Sequence, residues 1–137
     1  MILKGRVVNF NDALYDGKGL VGILTRIKKR SGEDYFLLTG EIFGYGMEDD
    51  DYGVLRNKGF KAVLAPSFSP LVLRKLISTR VFPLKVSSHF EKTNYEEISI
   101  NLNEWIVEDK MRKILAKIKP LNEEILRIMK SGLFKYT

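Results

Sequence analysis

The stretch from Tyr35 to Ala65 constrains the fold more than any other part of the sequence. Two short, largely apolar runs bracket a glycine-rich turn and an acidic segment within it. Tyr35-Phe36-Leu37-Leu38 is too short for a helix, and every position is apolar. A strand of that kind is buried on both faces, as strands of a partly parallel sheet are. Thr39-Gly40-Glu41-Ile42-Phe43-Gly44-Tyr45-Gly46 then turns the chain, with three glycines close together. Glycines between a strand and a helix allow a sharp bend and the close approach of a ligand. In many α/β proteins an anion sits at such a turn, yet here Glu48-Asp49-Asp50-Asp51 follows it. The acids suit the first turn of a helix over Asp49 to Lys58, where they face the positive end of its dipole, and Lys58-Gly59 is the stop. Phe60-Lys61-Ala62-Val63-Leu64-Ala65 is the next strand.

The rest of the chain extends this alternation. Gly5 to Phe10 reads as a first strand, followed by a turn-rich loop from Asn11 through Gly19 and a second strand from Leu20 to Ile27. Ser67 is a candidate N-cap for a helix with Pro70 in its first turn, continuing to about Ser78 with Leu73, Leu76 and Ile77 on its apolar face. Val81 to Val86 and Glu97 to Leu102 read as strands. Strand, helix, strand, helix, strand from 35 to 86 predicts βαβ units with right-handed crossovers. Residues 104 to 119 fit two readings: a helix through Ile114, Leu115 and Ile118, or a hairpin of Trp105-Ile106-Val107 with Lys113 to Lys119, turning at Glu108-Asp109-Lys110. Pro120 to Glu124 starts a last helix with Ile125, Ile128 and Met129 on its buried face and Gly132 at its end.

Composition removes several function classes. At 137 residues the chain predicts one domain, 1–137, with one real core. With no cysteine it forms no disulfide, offers no thiol nucleophile, and cannot ligate zinc or iron–sulfur through sulfur. No apolar run approaches the ~20 residues that span a bilayer, and Met1-Ile2-Leu3-Lys4 leads straight into a strand, so no membrane segment or signal peptide is expected and the setting is cytoplasmic. The net charge of +6 raises a nucleic-acid partner. The basic runs Arg26 to Arg30 and Lys110 to Lys119 instead read as solvated faces, because no stacking aromatic platform interleaves them. His89 beside Phe90 has no sequence-adjacent partner and reads as structural; Trp105 reads as core or interface.

The order of motifs resembles the small subunit of isopropylmalate dehydratase, the detached swivel domain of the aconitase family. Gly5-Arg6-Val7 with Phe10 and Asp12 looks like the family's first strand and aspartate-rich loop. Gly40 with Phe43-Gly44-Tyr45-Gly46 stands where the family has its glycine turn. Gly59 to Ala65 followed by Ser67-Phe68 resembles its Gly-Ile-Lys-Ala-Val-Ile-Ala-x-Ser-Phe, with Arg74 in the following helix and Pro83-Leu84 at the next strand. Pro120-Leu121, Ile125-Leu126, Gly132-Leu133 and Tyr136 are similar to the family's ending. The resemblance implies an α/β class, the swivelling β/β/α domain with a mixed, partly parallel sheet, and favours the hairpin for 104 to 119. It also implies that no cofactor is bound by this chain. A large partner subunit would hold a [4Fe–4S] cluster, and the pair would dehydrate and rehydrate a hydroxy-acid in leucine biosynthesis or a related pathway. A homo-oligomer is compatible with this reading.

The departures fall on the chemistry. Where the family has Ser-Ser-Arg-Glu-His, with serine as base and arginine gripping a carboxylate, this chain has Met47-Glu48-Asp49-Asp50-Asp51. Met47 cannot move a proton, and Asp49 cannot make a bidentate arginine–carboxylate bond. In the first loop Tyr15-Asp16-Gly17 replaces Asp-Thr-Asp, and the segment that follows is shortened around Lys18 to Leu20. By resemblance, Gly44, Tyr45, Gly46 and Asp12 are the substrate-binding candidates. Glu48 is the candidate replacement base. Glu48, Asp49, Asp50 and Asp51 could together hold a divalent cation, or simply form a solvated helix start. Against a dianionic substrate each like-charge pair would cost on the order of several kcal/mol at an effective ε near 20. The expected function is therefore a small-subunit homologue with altered or lost catalysis, the alternative being a non-catalytic interaction protein that keeps the fold.

Overall fold

Strand β1 (Ile2–Asn9) joins two kinds of sheet. On one side lie β2 (Tyr35–Leu38), β3 (Phe60–Ala65) and β4 (Phe82–Lys85), all parallel to it. On the other lie β5 (Glu97–Asn101), β6 (Ile106–Asp109) and β7 (Ile114–Lys117), joined by antiparallel ladders. The order across the sheet is β4-β3-β2-β1-β5-β6-β7. The computed structural model describes residues 1–9, 33–40, 43, 49–87, 90–93 and 95–135, with the backbone alone at 49 and 132–135. The expected loop from Asn11 to Gly19 and the expected strand from Leu20 to Ile27 lie outside the described residues.

The parallel half is buried on both faces, as its sequence demands. Tyr35, Leu37, Val63 and Ala65 face helices α1 (Asp49–Asn57) and α2 (Pro70–Ser78), whose Tyr52, Leu55, Val72 and Leu76 complete that cluster. Phe36, Leu38, Ala62 and Leu64 point to the other face and meet Ile98, Ile100, Val107 and Ala116 from the antiparallel half. The two faces are set by parity, and one irregularity breaks it. Tyr35 pairs with Phe60 but Phe36 pairs with Ala62, so a residue is inserted and Phe60 swings onto the helix face, 5.7 Å from the Tyr35 ring. The sheet curls until its ends touch. Val86 bridges Ile118, flanked by Ser87 N–H donating to Lys117 O at 2.9 Å and Lys119 N–H donating to Lys85 O at 2.8 Å. Helix α3 (Glu123–Lys135) covers the inner cluster with Met129, and Ile125 and Leu126 pack beside it.

Several sequence expectations need correction. The α2 cap is Ser69, not Ser67: Ser69 Oγ accepts from Val72 N–H at 3.4 Å, and Pro70 is the first helical residue. The peptide carbonyl of Ser67 instead accepts from Phe43 N–H. Val72 and Leu76 form the buried stripe of α2, while Leu73 is only half-buried. In α3, Ile128 is 39% exposed and Met129 takes the core position. Gly132 does not end that helix, which runs to Lys135; an interior glycine costs only about 1 kcal/mol relative to alanine. Residues 104 to 119 form the hairpin, but β6 extends to Asp109 and the turn falls at 110–113. Asp109 Oδ1 accepts from Met111 and Lys113 N–H there, at 2.8 and 2.9 Å.

Two glycines are tied to the architecture. A Cβ on Gly5 would stand 2.8 Å from Asp34 O and 3.0 Å from the Phe36 ring, so β1 and β2 approach closely only because none is there. Gly59 ends α1 at φ +92°, and its carbonyl accepts from Tyr35 N–H at 2.9 Å.

Candidate functional site

Asn9, Leu38, Leu64 and Leu84 are register partners across β1, β2, β3 and β4. The segments leaving β2, β3 and β4 therefore emerge along one edge of the sheet, the carboxyl ends of its parallel strands. Ligands of open α/β sheets bind at such an edge. Thr39 is buried there, its N–H donating to Leu64 O at 3.0 Å, and Gly40 beside it is exposed. Two residues beyond β3 the chain reaches Ser67-Phe68-Ser69 and α2; beyond β4 come Val86 and Ser87.

Phe43, from the glycine-rich stretch, is fixed to this edge. It forms a parallel bridge with Phe68, its N–H donates to Ser67 O at 3.2 Å, and its ring meets the Phe68 ring edge-on at 6.1 Å. With 1% exposure it is a wedge in the helix-side cluster. The expected strand–turn–helix geometry is thus in place at both flanks, with Leu38 entering and Asp49 opening α1. Gly44, Tyr45, Gly46 and Glu48 lie outside the described residues, as do Asp12 of the first loop and His89.

The two helix starts at the edge differ in charge. α1 opens with Asp49, Asp50 and Asp51, Asp50 being exposed and Asp51 half-buried. The first turn of α2 has no acid. Behind the acids Tyr52 is 4% exposed; burial raises its phenol pKa above the ordinary 10.0, and the neighbouring Asp51 carboxylate adds to the rise. At neutral pH the phenol is therefore protonated. The Lys75 ammonium from α2 stands 5.8 Å from the Tyr52 ring centroid and ties the two helices together. Among the described residues no group of three or more His, Cys, Asp or Glu side chains could hold a metal ion. Arg74 is exposed on α2.

Sequence reasoning missed part of this edge. Asn9 Nδ2 donates to Lys92 O at 2.6 Å, pinning the segment before β5 to the end of β1. Away from that end of β1, level with the start of β2, Arg6 donates to Tyr95 O at 2.9 Å and pairs with Glu33 at 3.1 Å. Nothing in the local pattern of β1 signals partners so distant in the chain.

No protein-family model matches the chain. The small subunit 2 of 3-isopropylmalate dehydratase from Archaeoglobus fulgidus is 26% identical to it over 106 residues, 77% of this chain. The match spans 62% of that relative's length. The crystal structure of 3-isopropylmalate dehydratase from Methanocaldococcus jannaschii superposes with a TM-score of 0.66, covering the whole of both chains at 20% identity. The two chains share one fold. It is an α/β fold with a mixed, curled sheet.

Proposed function

We propose that this chain is the small subunit of an aconitase-family hydro-lyase similar to 3-isopropylmalate dehydratase, acting on a hydroxy-acid together with a large subunit. The similarity to the Archaeoglobus fulgidus small subunit carries the reading, and Phe43 anchored to Ser67 and Phe68 at the carboxyl edge of the parallel strands supports it. This chain has no cysteine, so the thiolates of a [4Fe–4S] cluster would come from the partner. The role left to this chain is to close the substrate space, exclude water, and offer groups from the turn and from the α2 start. A cytoplasmic enzyme of leucine biosynthesis or a related pathway fits this reading.

The chemistry at the turn is altered. Met47 and Glu48 replace the family's two serines and Asp49 its arginine, so Glu48 is the one candidate base in that run next to the glycines. Affinity purification from the native cell tests the assignment. A co-purifying large subunit with an iron–sulfur spectroscopic signature, and hydration or dehydration of a hydroxy-acid by the pair, is the expected result. Absence of both discards the reading. In an active pair Glu48→Gln should lower kcat at least about 100-fold if the carboxylate is the base. A variant as active as the wild type removes Glu48 from the chemistry. The exchange of the serines and the arginine also favours a second reading, a non-catalytic partner that keeps the fold; a stable complex without turnover on any hydroxy-acid would select it.

A further inference from the structure

Of the two helices on the parallel half, α1 is the weaker by composition. Its aspartates suit the first turn, but past them only Leu55 and Arg56 are strong helix formers, and Gly53 stands in the middle. That glycine answers no packing need. A Cβ there would meet nothing within 4 Å, and the backbone is not left-handed. An interior glycine with neither constraint simply weakens its helix. Tyr52 and Leu55 are the buried side chains of α1, with Val54 half-buried beside them. α2 is also nine residues long, but it has Ser69 as cap, Pro70 at its first position and no glycine. Thr79 N–H closes it by donating to Lys75 O and Leu76 O, at 3.1 and 3.2 Å.

The chain is pinned on both sides of α1. Ahead of it Phe43 N–H donates to Ser67 O, and after it Gly59 O accepts from Tyr35 N–H. Between the pins Lys75 of α2 stands over the Tyr52 ring. We propose that α1 opens as a unit, separately from the sheet, between Phe43 and Gly59, and so gates the carboxyl edge. A short helix with few buried anchors and an exposed interior glycine is the kind of element that opens locally. The first turn of α1 sets Asp50 and Asp51 at that edge. Opening carries both charges away and relieves the repulsion that an anionic ligand meets in the closed form. The gating of an anion rests on the hydro-lyase reading; the opening itself does not.

Native-state hydrogen exchange of the purified chain in increasing sub-denaturing urea tests the opening. Amides 54–58 should exchange through a step of low urea dependence and lower opening free energy than Val63 and Leu64 of β3, which require global unfolding. Gly53→Ala should slow amides 54–58 about fivefold, the equivalent of ~1 kcal/mol. Lys75→Gln should speed them about two- to fivefold by removing the cation over Tyr52. In an active pair the alanine variant reduces the open fraction by the same factor, so KM should rise about fivefold with kcat unchanged. If amides 54–58 share the opening free energy and urea dependence of Val63 and Leu64, the proposal is overturned. Exchange of 54–58 indifferent to Gly53→Ala overturns it too. Slower exchange with KM unmoved in an active pair removes the gate. An inactive pair whose amides 54–58 exchange locally discards the hydro-lyase reading and keeps the opening.

Discussion

Tyr52 shows how one side chain records its surroundings. Its phenol is buried behind the acids of α1, and both burial and Asp51 favour the neutral form. The folded pKa therefore exceeds the unfolded one. The resulting stability is fully present below the unfolded pKa near 10.0 and is lost as pH rises through the folded value, because the unfolded chain gives up the proton first. Urea midpoints measured upward from about pH 8 should fall for the wild type, and Tyr52→Phe should make the fall shallower. An unchanged slope would mean that Tyr52 is not the group responsible. Gly5 is the opposite case, a position defined by what is missing. Gly5→Ala forces a methyl against Asp34 O and the Phe36 ring and should cost about 1–3 kcal/mol in chemical denaturation, far more than a typical edge-of-loop substitution. Neither effect was visible in the sequence, since both depend on atoms brought in from other strands or helices.

At the scale of elements, much was legible. Tyr35–Leu38, Phe60–Ala65 and Pro70–Ser78 fall where their apolar runs and the proline place them, because each buries both faces or a full stripe. The errors came where two local signals competed. Ser67 and Ser69 both precede Pro70; the proline takes the first helical position, which leaves the residue immediately before it as the cap. Ser69→Ala should therefore lower stability by about 1 kcal/mol and Ser67→Ala by less than about 0.5 kcal/mol, as thermal unfolding would show. Equal costs would return the cap to Ser67. The region 104 to 119 stayed open in the residue pattern because Ile114, Leu115 and Ile118 fit a helix face while Ile114, Ala116 and Ile118 fit alternation; pairing with β5 and burial of Ala116 and Ile118 against the inner cluster decide for strands. For the candidate site, the flanks of the glycine turn were readable, but its tether through Phe43 and Phe68 joins two loops that no local pattern relates.

For the molecule as a whole, the strand order could not be read from the chain, because β1 pairs with β5 across most of the sequence and β4 meets β7 only through curvature. That meeting is narrow. Lys119→Pro removes the donor to Lys85 O and should cost about 1–3 kcal/mol, with faster amide exchange at Ser87 on the opposite side of the same contact. Unaltered exchange there would show that the contact does not hold the curl. The contact also bears on self-assembly. A strand margin with free amides is a template on which foreign chains polymerise. Here the last residues of one margin are already occupied by those of the other, so an intruding strand must first evict a partner carried in the same polypeptide. The molecule thereby guards itself against fibrillar growth along that seam.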